Sequence, residues 1–183
     1  MNRRTLMAGL SGAAALPILV RAASPVALAQ TSTAPLGLLE YRRMTLLVGS
    51  LAKQSSELAL QRRTHPRIHE FAAFENAEQT TMAQVLTDTP NPPAVPLDAA
   101  QEGMLRQLQA TSGSAFDRAY LQMQLQGHEQ LLGIQESFLR GQPSMATDPV
   151  HVAMMARTTI QMHLTMLQDI DRMLSTNVAS GTY

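Results

Sequence analysis

From residue 38 onward, apolar side chains recur every three or four positions in long runs, the spacing of helices that bury one face. The first run extends over about Leu38 to Arg63 and lines up Tyr41, Met44, Leu47, Val48, Leu51, Ala52, Leu58 and Ala59. Thr64-His65-Pro66 then gives a helix start with proline near the first helical position. The second run gathers Ile68, Phe71, Phe74, Met82, Val85 and Leu86 on one side, and the short break makes these two helices antiparallel neighbours. Residues 87–96 cannot be helical, because Pro90, Pro92, Pro93 and Pro96 remove backbone donors and clash with a preceding turn. A short helix over about Leu97 to Leu108 continues that connection. A third long helix covers about Ser114 to Arg140 and is stopped by Gly141-Gln142-Pro143; a fourth runs from about Asp148 to Leu174.

The pattern predicts an all-α fold: a four-helix bundle over residues 38–174 with a long Pro-rich crossover between helices 2 and 3, the connectivity of ferritin-like bundles. Residues 175–183 are expected to form a flexible tail. Polar residues interrupt the apolar faces in a selective way. On the third long helix Phe116, Tyr120, Met123, Leu131, Ile134 and Phe138 make one stripe, and Leu121, Leu125, Leu132 and Leu139 another. Asp117, Gln124, His128 and Gln135 lie between or within them. On the fourth helix Met155, Ile160, Met162, Met166, Leu167, Ile170, Met173 and Leu174 define the buried arc, with His163 near its centre. Glu75 and Glu78 stand among Phe71, Phe74, Met82 and Val85 on the second.

Height decides whether such groups meet. His128 and His163 are about equally far from the turn that joins their helices, and Glu75 and Glu78 fall near the middle of theirs, so all four are expected at one level. Two neutral imidazoles with one or two carboxylates suit a divalent transition metal, Fe, Mn, Zn or Cu. The paired Glu-x-x-His signature of di-iron bundles is absent: the second helix carries Glu75-x-x-Glu78 instead. The same residues also fit a bland role, a core polar network with Asp117, Gln124 and Gln135 that satisfies buried groups and fixes helix register. His65 and His69 read as a solvated first turn, and His151 as exposed. Met155, Met162, Met166 and Met173 have the spacing of a Cu(I) thioether set, but equally that of a core stripe, and core is the reading taken.

The beginning of the chain has a different character. Met1 to Arg4 are basic, Leu6 to Val20 apolar, and Ala27-Leu28-Ala29 is a small-residue cleavage site, so residues 1–29 read as a cleavable export signal of twin-arginine type, Asn2-Arg3-Arg4-Thr5-Leu6-Met7. Residues 30–37 follow as a tether, and the protein is expected in the periplasm, where association with the outer membrane is an open alternative. Nothing after the signal is apolar enough to span a membrane. Loss of Arg3, Arg4 and Arg21 leaves an acidic excess with no basic run, which argues against nucleic acid as a partner. The chain has no cysteine, so disulfides, thiol chemistry and a lipid anchor on cysteine are all excluded. Ser55, Ser56, Ser112 and Ser114 have no nucleophile elbow or base beside them, and there is no glycine-rich phosphate loop.

Phe116-Asp117-Arg118-Ala119-Tyr120-Leu121 followed by His128-Glu129, together with Leu58-Ala59-Leu60-Gln61, Pro66 and Glu70-Phe71-Ala72, resembles the bacterial domain of unknown function 4142 family over nearly the whole of 38–174. The resemblance implies a ferritin-like fold and an exported protein, with no established activity. Asp117, His128 and His163 match the family pattern. Glu78-Gln79 stands where the family carries an Asp-His pair, and Gln54 where it carries a glutamate, so the resemblance implies a reduced ligand shell. The leading functional reading at this level is a binding or envelope-supporting module for a protein, an envelope component or a small apolar ligand, without catalysis. The alternative is a metal-binding protein with Glu75, Glu78, His128 and His163 as ligands, for storage or redox chemistry.

Overall fold

The computed structural model describes residues 34–142 and 147–180, with side chains to 176. The export signal expected over 1–29 and the first part of the tether lie outside the described residues. Helix accounts for most of what is described: α1 (Leu38–Leu60), α2 (Pro66–Thr87), α3 (Ala99–Gln109), α4 (Gly113–Arg140) and α5 (Asp148–Ser180), with no strand among the described residues. α5 continues past Leu174, into the stretch expected to be a tail.

The helix ends follow their local chemistry. Pro66 opens α2, and the His65 imidazole caps it by accepting the Arg67 N–H at 3.2 Å. The Asp117 carboxylate of α4 accepts the His65 N–H at 3.0 Å, which ties the start of α2 to α4. α2 stops at Asp88, whose left-handed φ of 54° turns the chain into the proline segment. α3 begins with a reciprocal capping box between Asp98 and Gln101.

α1 packs on α2 and α4, α4 packs on α5, and α2 touches α5 only sparsely. Register between α1 and α4 is set by polar bonds through the core: Ser56 to Tyr120 at 2.9 Å, Gln124 to the Ala52 carbonyl at 3.2 Å, and Gln135 to Thr45 at 3.3 Å. Numbers fall along α1 as they rise along α4, so the pair is antiparallel. The proline segment and α3 lie against α1: Ser50 donates to the Val95 carbonyl at 2.8 Å, and Gln101 to that of Leu47 at 3.1 Å.

The apolar core is in two pieces. One gathers Phe71, Phe116, Tyr120, Leu121, Leu167 and Ile170; the other gathers Tyr41, Leu86, Leu131, Ile134, Phe138 and Ile160. On every long helix polar residues are buried between the two pieces: Ser55 and Ser56, Glu75 and Gln79, Gln124 and His128, and His163. This polar layer corrects the sequence reading of two faces. Phe74 and Val85 on α2, and Met155 and Met162 on α5, were expected in the core but are exposed, Phe74 by 57% and Met155 by 71%. The inward line of α2 runs through Phe71, Glu75, Gln79 and Leu86, and that of α5 through Ala156, Ile160, His163 and Leu167. Periodicity centres an arc on its apolar mass, whereas here the arcs centre on the polar layer and leave flanking apolar side chains outside. Half of the methionine stripe read as core, Met155 and Met162, therefore faces solvent, while Met166 and Met173 pack partly against the core.

Candidate metal centre

Glu75 lies one turn beyond Phe71 on α2, His128 between Leu121 and Leu131 on α4, and His163 between Ile160 and Leu167 on α5, so each is carried inward by the apolar residues around it. Three of their atoms converge. Glu75 Oε2 is 3.2 Å from His128 Nε2 and 3.2 Å from His163 Nδ1, and those nitrogens are 3.2 Å from each other. All three residues are buried. The near-equilateral triangle has the dimensions of a metal ligand set: donors ~2.0–2.1 Å from a tetrahedral ion stand ~3.3–3.4 Å apart.

The far atom of each group is held by the protein. His128 Nδ1 is 2.8 Å from the Gln124 carbonyl. A carbonyl only accepts, so Nδ1 carries the proton and Nε2 offers its lone pair to the triangle. His163 Nε2 faces Glu78 Oε2 at 3.4 Å, so a metal-binding His163 would carry its proton on Nε2 and leave Nδ1 free. Gln79 donates to Glu75 Oε1 at 3.0 Å, while Oε2, buried and without a hydrogen bond, points at the two nitrogens. With the protons on the outer nitrogens, three lone pairs meet at one point, as a metal ligand set requires; without a metal, a proton on an inner nitrogen can bridge the 3.2 Å between the two rings. Outer acceptors that fix the tautomer of each histidine are the usual support of a metal site. Phe71 walls the centre, its ring centroid 5.8 Å from that of His128 and 5.2 Å from that of His163.

Electrostatics in the metal-free protein run the same way. Burial alone pushes the Glu75 carboxyl up, but the neighbouring imidazoles of His128 and His163, 3.2 Å away, outweigh it and hold it at about 2. Burial pushes His128 down, and the Glu75 carboxylate more than reverses this, so its imidazolium is favoured. Glu78 is pushed up, by burial and then by the negative charge of Glu75. A buried carboxylate without a cation costs several kcal/mol, so the triangle is stable only with positive charge inside it.

The structure brings all four sequence-selected residues to one locus but gives Glu78 a different place from the other three, against the outer nitrogen of His163. Asp117 takes no part in this cluster: it caps α2 through His65. Gln124 joins Ser55 and Ser56 on α1, and Gln135 joins Thr45. His69 and His151 are exposed, and His65 is the cap of α2. Sequence reasoning noted Gln79 only as a departure from the resembled pattern, with no role, and passed over Gly49. A Cβ at Gly49 would stand 2.3 Å from Gln79 Oε1, so the glycine makes room for the amide that holds Glu75. The signal in the sequence was the i, i+4 spacing of Glu75 and Gln79 on one face.

The positions that differ from the resembled pattern all border the centre or its surroundings. Glu78 and Gln79 hold the outer atoms of His163 and Glu75, and Gln54 bonds to Ser50 at 3.1 Å beside the same cavity as Gln79. In comparisons with known proteins, a family model described as a domain of unknown function (DUF4142) matches residues 49–170. No curated protein and no solved structure matches.

Proposed function

Since the chain belongs to the DUF4142 family, whose description assigns no activity, we propose its function from the centre itself: it binds one divalent transition metal ion through Glu75, His128 and His163. The observation that carries this is the convergence of three potential ligand atoms on three buried residues, 3.2 Å apart, whose far atoms each face Gln79, Gln124 or Glu78. Two imidazoles and one carboxylate suit zinc, iron, manganese or copper, and three protein ligands leave a coordination position open for water or a small ligand. A bound ion supplies Lewis acidity or, for a redox-active metal, one-electron chemistry. The protein's own part is to fix the His128 tautomer through the Gln124 carbonyl, to keep Glu75 ionised and to wall the centre with Phe71.

The same reading takes the packing of α1, α2, α4 and α5, with α3 in the long connection, as a ferritin-like four-helix bundle. Its support is the antiparallel register of α1 and α4 and a polar centre inside the bundle. It also takes residues 1–29 as an export signal and the periplasm as the site of action; N-terminal sequencing of the protein from its native host checks this, with Gln30 as the expected first residue. Among the described residues no helix is long and apolar enough to cross a membrane.

Metal analysis of the exported protein, beside a His128→Ala/His163→Ala variant, tests the metal reading. Near-stoichiometric metal that disappears in the variant supports it. A metal-free native protein that also takes up no zinc or cobalt on titration ends it. A second reading, a binding module for a small apolar ligand, has one observation in its favour: the groove between α2 and α5, bordered by exposed Val85 and Met155. Binding of an apolar fluorescent probe that is lost in Met155→Glu, in protein without metal, would favour it.

A further inference from the structure

The centre is buried, so an ion must reach it through the wall of the helices. Among the described residues, two cavities touch the wall, one on each side of α2. The first, of about 310 Å³, opens between α2 and α5 and is lined by Glu78, Met82, Ala156 and Thr159, with His151 farther along α5. It meets the centre at Glu78, whose carboxylate is 3.4 Å from His163 Nε2 and whose side chain keeps about a quarter of its surface exposed, 24%. The second, of about 440 Å³, lies between α1, α2 and the proline segment and meets the centre at Gln79.

Charge separates the two. In the second cavity the carboxylate of Glu57 is already paired with the Lys53 ammonium, and the group nearest the centre is a neutral amide. A dication passing there meets an ammonium on the wall. The Ser50 to Val95 hydrogen bond also pins the proline segment over it. In the first cavity Glu78 has, among the described residues, no cationic partner except His163 itself. Apolar walls of low dielectric focus the field of a lone carboxylate and draw cations toward it. α2 and α5 are also sparsely packed on each other, so little must move. His163 spans the last step, with Nε2 toward Glu78 and Nδ1 in the triangle.

We propose that the α2/α5 groove is the route by which a divalent cation reaches the centre, with Glu78 taking the ion at the inner end, beside His163, before it enters the triangle. This rests on the metal-binding reading above. The test is the rate of zinc uptake from a chromophoric chelator by the full mature protein, and the rate of zinc removal by excess chelator. Thr81→Trp narrows the groove at an exposed position away from the ligands, and Glu78→Gln removes the charge. Thr81→Trp is expected to bind as much zinc as the parent, with uptake and removal each slowed about tenfold and the Kd little changed; Glu78→Gln, which also loses its hold on His163, is expected to slow uptake about tenfold with a weaker Kd. Ala94→Trp, at an exposed position beside the second cavity, is expected to load at the parental rate.

Unchanged rates in Thr81→Trp and Glu78→Gln overturn the route. So does faster removal with unchanged uptake in Glu78→Gln, since the carboxylate then only orients His163. Slow uptake in Ala94→Trp with normal uptake in Thr81→Trp moves the entrance under the proline segment and equally overturns it. A parent that takes up no zinc removes the metal centre together with its route, whereas full zinc content with unaltered rates removes the route alone.

Discussion

Two buried tyrosines show how differently one phenol can be used. Tyr120 shares a hydrogen bond of 2.9 Å with Ser56, whereas the Tyr41 hydroxyl is buried with no partner and its ring stacks on Phe138, 4.1 Å between centroids. Loss of a satisfied hydroxyl costs about 1 kcal/mol, while loss of an unsatisfied one removes a desolvation penalty. Tyr120→Phe is therefore expected to lower stability by about 1 kcal/mol in urea unfolding, and Tyr41→Phe to leave it unchanged or raise it. Both phenols also set an alkaline limit. Burial pushes Tyr41 up to about 12 and Tyr120 higher still. A group whose folded pKa is raised gives stability that is whole below its unfolded pKa, near 10, and is lost as pH rises above it. Ionisation of these two tyrosines, followed by absorbance, should coincide with loss of helical circular dichroism instead of preceding it.

Neighbouring elements meet at single residues that can be changed one at a time. Gly49 of α1 gives space to Gln79 of α2, and Gly49→Ala would push its Cβ into the amide. Overpacking of this kind costs about 1–3 kcal/mol. Displacing Gln79 from Glu75 should also weaken zinc binding about tenfold, the scale of outer-shell effects. In a double-mutant cycle Gly49→Ala/Gln79→Ala should recover most of the stability lost, because the clash has gone, without recovering the affinity. Asp117 tests the reverse case. It anchors the start of α2 through the His65 N–H, so Asp117→Ala is expected to cost about 1 kcal/mol in thermal unfolding yet leave metal content unchanged. Asp117 was legible in the sequence as an inward carboxylate; that it serves a helix end and not His128 was not, because direction along a helix does not say which neighbour a side chain meets.

At the scale of the molecule the polar layer divides the core, and the division makes the fold depend on what fills the centre. Each half is apolar and self-consistent, but Glu75, His128 and His163 join α2, α4 and α5 only through positive charge. An ion that binds the folded chain alone raises its stability by about 2.7 kcal/mol at a hundred times its Kd. Zinc should therefore raise the thermal midpoint, chelator should restore the metal-free value, and the His128→Ala/His163→Ala variant should respond to neither. An equal shift in the variant would show that the ion acts elsewhere on the surface.

The sequence by itself determined the helices, the proline break, and the fact that histidines and carboxylates interrupt apolar faces at one height, because periodicity and turn chemistry are local and act through the chain's own backbone. It could not apportion roles around Glu75. Advancing 100° per residue puts Glu78 about 60° to one side of it and Gln79 about 40° to the other, both within reach of an inward arc. Only the packing of α1, α4 and α5 decided that Glu75 enters the triangle, that Glu78 turns to the outer face of His163, and that a glycine on α1 admits Gln79. For the same reason Phe74 and Met155, apolar and correctly spaced for a core, ended outside: which side of a helix is buried is fixed by the neighbours it packs against, and those come from other parts of the chain.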